Sequence, residues 1–409
     1  MSTKQPSLFN VAVLVAALGY FVDIYDLLLF GIIRIPSLRD LGVMGDDVKI
    51  LGEEIISWQM YGLLIGGVIW GVMGDRKGRL SVLFGSILLY SLANIGNGLV
   101  ETVDQYKWIR LIAGIGLAGE LGAGITLVSE MIPKEKRGIA TSLVAGIGLS
   151  GAVLAFLIKE HFHWRTCYFI GGGMGLLLLM LRISVLESHL FEAAKHEKHL
   201  KRGHFHMLFN RWDRFRRFGL NVLIGLPTWL CIGVLVTFSK EFGEQMGIRE
   251  PIDPGKAIMY AYAAISIGDM LIGFISHWFK SRKKALYLFY GITALFIGLY
   301  FTVLHNGTAQ SMYWVCAGIG FGTGFWAIFV TMAAEQFGTN LRATATTMVP
   351  NVVRGMLAVF ILPMFKLFRE YTDYYHAGIY TSVIVLVIST LAVYWIDETY
   401  GKDLNFWEH

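Results

Sequence analysis

The run LFNVAVLVAALGYFVDIYDLLLFGIIR, residues 8–34, is long and apolar enough to cross a bilayer, yet it carries two carboxylates, Asp23 and Asp26. About 20 apolar residues in a helix span the hydrocarbon core. An ionised side chain at that depth costs about 2.5 kcal/mol or more, so it normally faces a bundle interior or a water-filled path. The run lacks a small-residue cleavage site, which argues against a removable leader and predicts a first membrane helix. A transport site is the reading that best explains two acidic groups within it.

The rest of the chain agrees. It is 55% hydrophobic and 16% charged, with 47 glycines among 409 residues, and its mean hydropathy is +0.55. That is too apolar for a soluble fold, and glycine at this frequency suits helices packed closely in lipid. Apolar runs predict twelve membrane helices, near residues 9–34, 54–74, 80–100, 105–131, 138–160, 165–186, 218–243, 256–279, 284–305, 310–335, 342–367 and 376–396. The interruptions alternate in charge. DRKGR (75–79), PKEKR (133–137), the stretch from Lys195 to Arg217 and KSRKK (280–284) are basic, whereas 35–53, 101–107 and 305–311 are acidic or nearly neutral. By the positive-inside rule both termini are expected in the cytoplasm of a cell-membrane protein. The net charge of +5 thus reads as a topology signal rather than as a nucleic-acid surface. Cys167, Cys231 and Cys316 lie in apolar runs without metal or redox spacing and read as inert thiols.

The longest polar interruption, 187–217, divides the chain into an N-terminal six-helix half (1–186) and a C-terminal six-helix half (218–409). AGIG occurs at 113–116 and again at 317–320. Glu130 precedes Arg137 by seven residues, as Glu335 precedes Arg342. Two related halves are expected, as in transporters built from repeats.

GVMGDRKGR (71–79) resembles the loop between helices 2 and 3 that marks the major facilitator superfamily, and GFISHWFKSRKK (273–284) is a degraded echo of it. The group most similar is the metabolite:proton symporters, which are sugar-porter-like. Their first helix reads E-W-Y-D-F-x-L-Y-G, and DIYDLLLFG (23–31) keeps Tyr25, Asp26, Leu29 and Gly31 with Asp23 in place of the Glu. RLIAGIGLAGELGAGITLVSEMIPKEKRG (110–138) is similar to the fourth-helix text, and LESHLF (186–191) and DETYGKDL (397–404) to the segments after helices 6 and 12. Departures are a missing proline after Glu187-Ser188, His277 where an aspartate is common, and an unusual eleventh helix at 340–355. Phosphate:proton symporters share the D-x-Y-D pattern of helix 1, so that motif leaves them open as an alternative. The resemblance implies an all-α integral membrane fold of twelve helices in two pseudo-symmetric halves, alternating access, protons as the coupling ion, no other cofactor, and a monomer.

Asp23 and Asp26 lie three residues apart, roughly on one helical face, where two carboxylates in low dielectric resist double ionisation. Arg110 and Glu120 are ten residues apart, about 15 Å along a helix, and so sit at different depths. In sugar porters a helix 1 aspartate pairs with a helix 4 arginine and is released on protonation. The resemblance carries that role to Asp26 and Arg110, against a static buried salt bridge; Asp23 and Glu120 are further proton-coupling candidates. Arg354, with Asn351 one turn before it, is the basic residue left deep in an apolar run, and a guanidinium there suits a carboxylate or phosphate gripped through two hydrogen bonds. Its competing reading is a partner to an acidic residue such as Asp269. Asn221, Trp229, Trp326 and Tyr25 are candidate cavity residues. Asp75, Arg76, Arg79, Glu130, Arg137, Glu335 and Arg342 are candidate gating residues that latch the halves, against independent helix-end pairs.

HFHMLFNRWDRFRRF (204–218) mixes aromatic and basic residues, as a segment lying against lipid does. No metal, nucleotide or nucleic-acid motif is seen, and no nucleophile–base arrangement suggests an enzyme. The expected function is secondary active transport of a small metabolite, an organic anion, by proton symport. The alternatives are a phosphate:proton symporter, or an exporter or proton-independent facilitator on the same fold. A membrane protein that transports nothing would be expected to lose the buried charges.

Overall fold

The computed structural model describes residues 11–45, 47–132, 136–186, 205–403 and 406–408. These residues are helical throughout the apolar runs and contain no strand. Eleven helices are long and apolar enough to cross a membrane: α1 (Val13–Asp40), α2 (Asp47–Gly74), α4 (Val103–Ile125), α5 (Arg137–His161), α6 (Trp164–Leu181), α7 (Trp212–Val236), α8 (Pro254–Phe279), α9 (Arg282–Thr302), α10 (Ala309–Gln336), α11 (Arg342–Tyr371) and α12 (Tyr374–Trp395). The shorter apolar α3 (Ser81–Asn97) completes the series. Most of the polar stretch 187–217 lies outside the described residues; its last part starts α7.

Short polar side chains set several helix starts. Thr102, Asp253, Ser281, Thr308 and Asp373 accept main-chain N–H bonds at the beginnings of α4, α8, α9, α10 and α12, satisfying donors that helix geometry leaves without partners. Glycine then allows close crossing. Within the N-terminal half, a Cβ on Gly62 or Gly114 would run into the facing backbone of α4 or α2, so those helices meet at backbone distance.

The two halves meet along α2 with α11 and α5 with α8. A Cβ on Gly67 would lie 2.9 Å from the Asn351 side chain, and one on Gly71 would lie 3.3 Å from the Thr344 backbone. On the other seam Ser266 donates to the Gly146 carbonyl. Contacts close both ends of the bundle. At the end bearing the basic loops, Arg137 pairs with Glu335 at 3.4 Å and Thr141 bonds Thr331 at 2.8 Å. At the far end, Arg34 pairs with Glu241 at 3.1 Å, Lys159 with Asp253 at 2.8 Å, and Glu53 with Lys366 and Arg369 at 3.2 and 3.4 Å. The groups at mid-depth lie between these two layers.

Both AGIG repeats end in a broken helix. The first half of α4 stops at Leu117 and its second half begins at Glu120. The first half of α10 stops at Gly322 and its second half begins at Trp326. Broken spans expose backbone polar groups that lipid cannot satisfy, so they are tolerated where protein supplies partners.

Candidate functional site

Each break is satisfied from another helix. The Ala118 carbonyl, freed at the break in α4, accepts a bond from Asn351 Nδ2 of α11 at 2.7 Å. The Ala327 N–H, an orphan donor at the start of the second half of α10, is bonded by Asp269 Oδ1 of α8 at 2.9 Å. Asp269 therefore serves as a cap supplied by a neighbouring helix and is not the partner of Arg354.

Arg354 is buried, 1% exposed, on α11. Its Nη1 donates to Asn351 Oδ1 at 3.3 Å, and its guanidinium lies 5.7 Å from the Trp326 ring centre, within cation–π range. The cap on Ala327 thus fixes the turn that presents Trp326 to the arginine. Arg354 is also the cationic neighbour of Asp23, Tyr20 and Tyr262. Asp23 is wholly buried, and neither of its carboxylate oxygens has a hydrogen-bond partner among the described residues. Glu120, at the break of α4, is an acidic neighbour of Asp23. Asp23, Glu120, Asn351, Trp326 and Arg354 accordingly converge where the halves meet.

Asp26 turns elsewhere. A Cβ on Gly171 of α6 would collide with its carboxylate, and Arg110 of α4, Asp23 of the same helix and Asn94 of α3 are its polar neighbours. The site is internal to the N-terminal half. Arg110 Nη2 donates to the Asp26 main-chain carbonyl at 3.3 Å rather than to the carboxylate, beside which the Asn94 side chain lies. The same guanidinium lies 5.7 Å from the Tyr168 ring centre, and the Tyr168 and Tyr106 hydroxyls share a 2.6 Å bond. The structure thus brings Asp26 and Arg110 together with their charged groups unbonded to each other.

Other expected residues make contacts of their own. The Tyr25 hydroxyl donates to the Cys167 carbonyl at 2.8 Å, fastening α1 to α6. Asn221 binds the Gln336 side chain at 2.8 Å and the Arg217 carbonyl, which ties it to the basic end. Trp229 is buried on α7. Of the expected gating residues, Glu335 is the hub: it accepts from Arg137 and, at 3.0 Å, from Arg282, a residue sequence reading missed. Arg342 Nε donates to the Ala334 carbonyl at 3.2 Å, within its own half. Arg76 is exposed at the end of α2. The side chains of Asp75, Arg79 and Glu130 lie outside the described residues.

Sequence comparison finds related carriers over most of the chain. The niacin transporter NiaP of Acinetobacter baylyi is 25% identical over 96% of this chain and 94% of its own. The cis,cis-muconate transport protein of the same organism is 26% identical over 87% and 86%. Among solved structures, the proton:xylose symporter XylE bound to 6-bromo-6-deoxy-D-glucose superposes with a TM-score of 0.71 at 17% identity, covering 96% of this chain and 97% of the other. That likeness establishes the fold. The sequence profile of the Major Facilitator Superfamily matches residues 12–363, and the chain belongs to that family of multi-pass membrane transporters.

Proposed function

We propose that this carrier moves a small organic anion across the membrane by proton symport with alternating access, and that Arg354 anchors the anion. The observation that carries the proposal is the setting of Arg354: a guanidinium buried at the junction of the halves, oriented by Asn351, faced by Trp326, and neighboured by Asp23. A guanidinium binds a planar carboxylate through paired hydrogen bonds, and the adjacent indole suits an unsaturated or aromatic body. Niacin and cis,cis-muconate, the compounds that two relatives are named for, are carboxylic acids of that kind.

In this reading Asp23 is the internal counter-ion of Arg354, and the incoming carboxylate takes its place as Asp23 accepts a proton. Protonation of Asp26 removes its electrostatic attraction to Arg110 and permits reorientation of the loaded carrier; deprotonation on the other side restores it. Rocking of the halves exchanges the ion pairs of the two ends. Protons are the coupling ion, both termini face the cytoplasm of the cell membrane, as the basic loops favour, and the carrier works as a monomer among membrane lipid.

The test is uptake into proteoliposomes under an imposed pH gradient, with labelled nicotinate, cis,cis-muconate, phosphate, neutral amino acids and sugars, for wild type and Arg354→Gln. Uptake of a carboxylate that the substitution abolishes supports the proposal. Uptake of a neutral compound, or uptake unaffected by the substitution, contradicts it.

A further inference from the structure

At the far end, between α1 and the α7–α8 connection, lie two adjoining cavities of about 550 and 370 Å³ that share Ile35, Arg39, Lys240 and Glu244. The smaller is lined by four cationic side chains, Arg34, Arg39, Lys49 and Lys240, against two acidic ones, Glu241 and Glu244. Arg34 gives Glu241 one hydrogen bond of 3.1 Å. Its Nε and Nη1 are buried with no partner among the described residues, and so is the hydroxyl of Tyr374 in the same wall. Leaving a guanidinium with unused buried donors costs free energy that a ligand oxygen would recover.

The surroundings hold Arg34 in that position. Its guanidinium lies 4.8 Å from the Phe238 ring centre. A Cβ at position 52 would stand 2.7 Å from Arg34 Cδ, so glycine there makes room for the arginine stem. Lys49 sits over the Tyr374 ring at 4.4 Å. Arg34 follows Asp23 by eleven residues, which brings it back to nearly the same face of α1, about 16 Å along the axis. The two are stations at different depths on one wall of the junction.

We propose that this cleft is an outer binding station for a small carboxylate, and that ligand binding there opens the far end. The carboxylate accepts from the free Nη1 donor of Arg34 and competes with Glu241 for Nη2, the other donor on that edge of the guanidinium, with the Tyr374 hydroxyl and Lys49 completing its shell. Once Glu241 is displaced, the ion pair joining α1 to the start of the α7–α8 connection is gone, and the anion that broke it lies on the route inward. The inference rests on the reading above that the substrate is an anion, but it concerns a separate site.

A reporter cysteine, Val48→Cys, in the wall of the smaller cavity separates the two. The native cysteines are all buried, so an anionic methanethiosulfonate reports on the cleft in the full-length carrier. Benzoate serves as probe, whether or not it is transported. The expected result is saturable protection by benzoate, with the half-protecting concentration raised about tenfold by Arg34→Gln, as for loss of a charge-assisted bond, and unchanged by Arg354→Gln. Lys49→Gln, at a half-exposed position, should weaken protection in the same direction and covers the case that the Arg34 variant fails to fold. Absence of saturable protection, or protection indifferent to Arg34 and Lys49, overturns the proposal. So does protection lost in Arg354→Gln, because the anion would then act from the centre. Failure of uptake with protection intact would instead count against the transport reading alone.

Discussion

Asp23 of α1 and Arg354 of α11 are electrostatic neighbours across the junction of the two halves, and the carboxylate of that pair has no hydrogen bond among the described residues. A charge pair spanning the junction is sensitive to any motion that separates the halves.

Asn351 holds this arrangement. It bonds the Ala118 carbonyl, the Thr347 carbonyl and Arg354, linking the break in α4 to Arg354. Asn351→Ala should raise the KM of the transported anion about tenfold, because a guanidinium less well positioned loses about 1–2 kcal/mol of binding. Transport kinetics on protein of matched membrane content would check this; an unchanged KM would mean that Asn351 only stabilises the break.

Glu335 accepts from both Arg137 and Arg282. Glu335→Gln should weaken the latch at the basic end and expose the seam behind it. Thr331→Cys placed in the variant should then react with a polar thiol reagent about tenfold faster than in the parent. Equal rates would show that the pairing is local to the helix ends.

Gly146 of α5 is packed against Met270 and Ser266 of α8. A leucine there cannot be accommodated without separating the halves on that seam, so Gly146→Leu should reduce transport at least tenfold while the protein still reaches the membrane. Gly119, by contrast, faces Ser86 and Val82 of α3 within one half. Gly119→Leu should chiefly lower thermal stability, measurable as an earlier loss of monodisperse protein on heating. Normal transport by Gly146→Leu would remove the seam from the mechanism.

Span lengths made the fold legible, since an apolar run must be about 20 residues to cross the bilayer. The AGIG repeats were legible as duplication but not as helix breaks, because breaking depends on partners, Asn351 and Asp269, supplied by other helices. The same limit governs the site. Arg354 stood out as a cation in an apolar run, yet its acidic neighbour is Asp23, from the opposite half, and not Asp269. Which face of a helix meets which neighbour is set by packing among twelve segments, and the contacts that Tyr25 and Asn221 make, to Cys167 and Gln336, could not be read from the sequence. Arg34 and Glu53 were hidden for a related reason: each sits at the end of a run, where a charge reads as a boundary until a partner from the other half appears.

The most direct measurement compares two assays on wild type and Asp26→Asn in proteoliposomes: uptake of the labelled carboxylate driven by a pH gradient, and exchange of labelled for unlabelled substrate at equal pH. If protonation of Asp26 licenses reorientation of the loaded carrier, the variant, locked in the neutral form, keeps exchange and loses gradient-driven accumulation. Accumulation at the wild-type level in Asp26→Asn would contradict proton coupling through this residue.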